Sequence, residues 1–171
     1  MNQELQDLSG IARNYCALIE SVDRVDSRWL DKLWRLLPRL HVAVMALETA
    51  RSEQADLQVE MDMEGRFQMF SHLHRLLGER DAYWLKYDAL QGMSEMSGSL
   101  ADDITDIYYE LKQALKQLDS DPGHPCRAAG MLSQGFADHW GQHLVDAERH
   151  LYELQVYRSS QCINRDSGQY I

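Results

Sequence analysis

Between residues 136 and 150 the chain reads FADHWGQHLVDAERH. His139 and His143 stand four apart, so on a helix both imidazoles share one face. That spacing can present two nitrogens to one divalent metal, with a carboxylate from a neighbouring helix completing the set. It can also hold carboxylate–imidazole hydrogen bonds that satisfy polar groups at the edge of a core. A polar stripe in solvent, or a partner-binding surface, is the third reading. A row of acids precedes the histidines. In LADDITDIYYELKQALKQLD, residues 100–119, Asp103 and Glu110 border an apolar arc and Asp106 lies slightly further out.

A helical wheel places these groups. Phe136, Trp140, Leu144, Ala147, Leu151 and Leu154 cover one arc of the last helix, with His139, His143, Asp146 and His150 along its border. On the preceding helix the arc is Leu100, Ile104, Ile107, Tyr108, Leu111, Leu115 and Leu118. Only the short SDPGHP, residues 120–125, separates the two. They are expected to lie antiparallel and adjacent. Folding about that turn sets Asp106 level with His139 and Asp103 level with His143. The Glu-x-x-His signature of di-iron bundles is missing. Gly141 costs about 1 kcal/mol against alanine inside a helix and suits a close approach by another helix or a ligand.

Other candidates are weaker. His72 and His74 stand two apart and point to different faces. No Ser-His-Asp set has a recognisable local context, and GHPCRAAG, residues 123–130, lacks the glycines of a phosphate loop. Cys16, Cys126 and Cys162 are too widely spaced for a disulfide framework or a zinc motif. Met61, Met63, Met69, Met93 and Met96 are scattered as gap fillers.

The elements that carry these groups are helical. The chain has 171 residues, 44% apolar and 26% charged, with 3 prolines and 10 glycines. That is enough for one domain with a real core. Residues 3–22 alternate Leu5, Leu8, Ala12, Tyr15, Cys16 and Ile19 at helical spacing. Asp26 or Ser27 caps a second helix over 27–50, which Pro38 must kink or split. Residues 51–62 read as a connection, and 65–78 as a helix that Gly78 ends. In 79–99 the aromatic first half packs down and the second half is a loop. Ser99 and Asp102 open the helix over 99–119 as an acidic capping box, with Asp102 and Asp103 at its positive end. One last helix runs from 126 to 158. The expected fold is an all-α antiparallel bundle of five or six helices, without a convincing strand: one domain over 1–158 and a loose tail over 159–171.

The net charge of −10, with no basic cluster to track phosphates, argues against nucleic acid. No run is long enough to span a bilayer, and the start is not a secretory signal. The expectation is a soluble cytoplasmic protein of bacterial type.

Asp102, Asp103, Asp106, Ile107, Tyr108, Leu111 and Lys112 on one helix, followed by His139, Trp140, Gly141 and His143 on the last, resemble the pattern of an uncharacterised bacterial all-helical family, domain of unknown function 5063. The likeness covers about the last 60 residues well and the first half in outline. Met131 and Leu132 replace an aromatic pair of that pattern, and Leu47, Glu48 and Thr49 stand where it has a Leu-Pro turn. The resemblance implies an architecture and a matched pair of polar rows, and no reaction. If His41 joined His139 and His143, the set would be similar to that of three-histidine bundle enzymes of the DinB type.

The leading expectation is a small regulatory or protein-interaction module, its partner another protein or itself, with a structural Asp–His layer. The alternative is a metal-binding protein or metal-dependent enzyme holding a divalent ion through His139, His143, Asp103 and Asp106. The residues at issue are Asp102, Asp103, Asp106, His139, Trp140, His143 and Asp146.

Overall fold

The computed structural model describes residues 2–47, 62–89 and 92–166, and gives the backbone alone for 85–89, 92–95 and 157–166. The expected connection over 51–62 lies outside them except for Asp62.

Helix α1 spans Gln3–Glu20, and Asn2 caps it by accepting from the Leu5 N–H at 3.1 Å. Its buried residues are those the spacing picks out together with Ser9, and Leu8, Ala12 and Tyr15 are fully inside. Helix α2, Ser27–Met45, is capped by Asp26, which accepts from the Trp29 N–H at 2.9 Å. It continues through Pro38 as one helix. Pro38 is exposed, so the Trp34 carbonyl that loses its helical donor there can turn to water. Helix α3, Met63–Leu77, ends at Gly78 with φ 57°, the left-handed conformation that favours glycine. A 3-10 turn follows over Gly78–Arg80.

The next segment corrects the expected loop. Strand β1, Ala82–Ala89, pairs antiparallel with β2, Gly92–Ser99, in a register from Ala82 opposite Ser99 to Ala89 opposite Gly92. β1 carries the aromatics that suit a strand. β2, GMSEMSGS, has no β-branched residue, so its pattern does not announce one. The hairpin is fixed at its base by Asp81. The Asp81 carboxylate accepts from Ser99 Oγ and, at 2.7 Å, from the Ala101 N–H, while its carbonyl accepts from the Leu100 N–H at 3.0 Å.

Those bonds also cap helix α4, Leu100–Ser120, where Ser99 Oγ accepts from the Asp102 N–H as expected. α4 touches α1, α3 and both remaining helices, so it is the central element. The last helix is not continuous from 126 to 158. Helix α5, Pro125–Gly135, starts on proline at its first turn. A π-turn follows over Phe136–Trp140, and helix α6 runs Gly141–Asp166, past the expected end at Arg158. The Gly141 N–H bonds the Phe136 carbonyl, five residues back. A Cβ on Gly141 would stand 2.3 Å from that carbonyl oxygen, which is why a glycine closes the π-turn.

Cross-contacts fix the helix directions. Asp103 meets His143 while Glu110 meets His139, so α4 and α6 are antiparallel. Asp31 with Gln155 and His41 with Glu148 make α2 and α6 antiparallel as well. Apart from its small hairpin the protein is an all-α bundle. No helix among the described residues is long and apolar enough to cross a membrane.

Candidate metal centre

The acidic row of α4 and the histidine row of α6 face each other. His143 Nδ1 lies 2.9 Å from Asp103 Oδ1, and its Nε2 lies 3.3 Å from Asp106 Oδ2. His139 Nδ1 lies 3.1 Å from Glu110 Oε1. An ionised carboxylate only accepts, so both imidazoles carry a proton on Nδ1 towards their acids. Each Nε2 then points away from that acid. The two rings meet edge to face, with centroids 5.0 Å apart.

The expected level was right for Asp103 and one turn short for His139, whose partner is Glu110 rather than Asp106. Side chains lean towards the N-terminus of their own helix. In an antiparallel pair His139 therefore leans towards higher numbers on α4, and Glu110 leans back to meet it. Gly135 leaves the room for this, because a Cβ there would stand 2.9 Å from Glu110 Oε2.

Two residues that the sequence did not single out complete the layer. Arg66 on α3 donates from Nε to Asp106 Oδ1 at 2.7 Å and from Nη2 to Asp102 Oδ1 at 3.0 Å. Tyr83 on β1 donates its hydroxyl to Asp103 Oδ2 at 2.5 Å. Tyr83 is buried, with its ring stacked on His150 and the Arg149 guanidinium over it. Asp103 and Asp106 are buried too, so Asp106 sits deeper than its wheel position suggested.

Electrostatics follow from burial and these bonds. The hydrogen bond to Asp103 raises the His143 imidazole above its ordinary value, against burial, which lowers it. Burial raises the Asp103 carboxyl, against the hydrogen bonds of His143 and Tyr83. Both shifts hold a proton within the pair to higher pH, and the imidazole, the stronger base, carries it. Burial, then the Asp103 hydrogen bond and charge, then the Asp146 charge, push Tyr83 well above the ordinary phenol range. The Asp146 charge acts on Asp103 in the same upward direction, as a lesser cause.

One donor atom each from Asp106, His139 and His143 lie within 4.8 Å of one another, and these three are the group among the described residues placed to share an ion. Asp103 and Glu110 stand behind the imidazoles and Arg66 behind Asp106. Metal sites commonly have carboxylates that orient their histidines and hydrogen bonds to their ligating acids. Asp103, expected among the ligands, instead faces Nδ1 of His143 and Tyr83.

The other expected residues lie elsewhere. Trp140 is fully buried, edge to face with Phe136 at 4.9 Å, its indole N–H without a partner. His150 leaves the row: it is buried, with Nε2 donating to the Arg80 carbonyl at 2.8 Å. His41 pairs with Glu148 at 3.2 Å and is not a third imidazole of the group. His72 meets the Val22 carbonyl and His74 meets Asp81, on separate faces as their spacing requires.

The chain belongs to the family described as Domain of unknown function (DUF5063), whose model matches residues 1–157. No curated protein matches it. The crystal structure of protein BF1032 from Bacteroides fragilis is similar to this chain with a TM-score of 0.73 and 20% identity, over 90% of this chain and 92% of that one. That likeness is one of fold.

Proposed function

We propose that this protein binds one divalent first-row metal ion through Asp106 and the Nε2 atoms of His139 and His143. The observation that carries the reading is that each imidazole turns its Nδ1 to a carboxylate of its own, Asp103 or Glu110. In the neutral imidazoles each Nε2 is then left with its lone pair for the ion, that of His143 beside Asp106 Oδ2 at 3.3 Å. Two imidazoles and one carboxylate suit Zn(II), and with open positions also Fe(II), Mn(II) or Ni(II). His139 is about half exposed, so water or a substrate reaches the open side. Asp102 and Asp106 share the Arg66 guanidinium while Asp103 and Glu110 each face an imidazole, an excess of carboxylates that favours a cation.

The test is calorimetric titration of tag-free protein with each of these four ions. Binding near one equivalent is expected, and its loss in His143→Ala. No heat and no thermal shift with any ion would remove the reading.

A second reading keeps support from Arg66. Its bonds to Asp102 and Asp106 satisfy these acids without any ion. On that reading the layer is structural, and the protein is a regulatory or interaction module.

A further inference from the structure

Arg28, Lys32, Arg35 and Arg39 follow one another at spacings of four, three and four, which sets them in one row along α2. All four are exposed, opposite the face that buries Leu30, Leu33, Leu37 and Leu40. None makes a side-chain hydrogen bond or ion pair with another described residue. The exposed cations Arg13, Arg24, Lys112 and Arg127 each meet a carboxylate, whereas Arg75 and Lys116, which meet none among the described residues, stand singly on other helices. The one acid of the helix, Asp31, lies on its flank, where it accepts from Gln155 at 2.7 Å. The row continues into Val42, 71% exposed, with Met45, 66% exposed, beside it. A chain with 27 acids and 17 bases thus gathers four bases and an apolar end on one strip.

We infer that this strip docks a short acidic, amphipathic segment of a partner protein, carboxylates along the row and apolar side chains on Val42 and Met45. The proposal is independent of the metal reading. From Arg28 to Arg39 the row is about 16 Å long, the length of three helical turns. Charges are screened over about 8 Å at physiological salt. A segment confined to the strip therefore feels mainly the four cations. A nucleic acid or membrane extending past it would lie against the rest of a −10 chain, and phosphates would leave the apolar end unused.

The test is fluorescence anisotropy of full-length protein with a labelled peptide of about 12 residues, carrying Glu at three- and four-residue spacing and Leu at one end. Binding that weakens about tenfold or more in Arg35→Glu/Arg39→Glu, and also in Val42→Ser/Met45→Ser, is expected. These positions are solvent-facing, and circular dichroism is the check that the variants stay folded. Unchanged binding in the charge-reversed variant overturns the proposal. So does a single-stranded oligonucleotide or a phosphatidylserine vesicle that binds through the row when the peptide does not. A concentration-dependent dimer, abolished by the same reversal, would give the strip to a second copy and also overturn it.

Discussion

The Tyr83 hydroxyl reaches from the hairpin into the bundle and donates to Asp103 at 2.5 Å. The hairpin is thereby tied to the polar layer, because the other oxygen of Asp103 orients His143. Tyr83→Phe keeps the ring and removes the bond. It is expected to lower stability by about 1–3 kcal/mol in urea unfolding, since a buried carboxylate loses a donor. Gly98→Ala should cost a similar amount by another route. A Cβ there would stand 2.2 Å from the Tyr83 ring, so the ring must move. A double variant that loses much less than the sum would place both changes on the same contact.

Asp106→Ala removes the acceptor of Arg66 Nε and the neighbour of His143 Nε2. The expected loss is about 1–3 kcal/mol, measured by denaturant unfolding in chelator so that metal plays no part. A change within about 0.5 kcal/mol would mean that Asp106 is solvated rather than buried against its partners.

Gly10 and Gly141 both sit in helical segments, and alanine should act on them in opposite directions. Nothing lies within 4 Å of a Cβ at Gly10, so Gly10→Ala should raise stability by roughly 0.5–1 kcal/mol. At Gly141 the obstacle is the Phe136 carbonyl at 2.3 Å. Backbone cannot yield as a side chain can, and Gly141→Ala should lower stability by about 1–3 kcal/mol despite its better helix propensity. Paired thermal melts read the sign. A stabilising Gly141→Ala would show that the π-turn is dispensable.

The facing of Asp103 and His143 was legible because two long amphipathic patterns meet at a short proline-containing turn, which leaves little choice of geometry. What the sequence hid was everything arriving from a distance. Arg66 comes from another helix 40 residues before Asp106, and Tyr83 from a hairpin whose second strand is glycine, serine, methionine and one glutamate. His150 was placed in the row by periodicity, but the same hairpin covers it and the Arg80 carbonyl takes its Nε2. The π-turn leaves almost no trace in residue types, so a uniform wheel carries α5 into α6 without a break. The basic row on α2 was missed differently. Arg28, Lys32, Arg35 and Arg39 are separated by apolar residues and Asp31, and they become a strip only once the helix is wound.

The most direct measurement is long-range 15N–1H NMR of the imidazoles, with and without one equivalent of Zn(II). In metal-free protein at high pH, both His139 and His143 should carry their proton on Nδ1, held by Glu110 and Asp103. On adding zinc, both Nε2 resonances should shift together to the value of coordinated nitrogen, while Nδ1 stays protonated. If either Nε2 remains a free or protonated nitrogen at saturating zinc, the three residues do not share an ion, and the layer is structural.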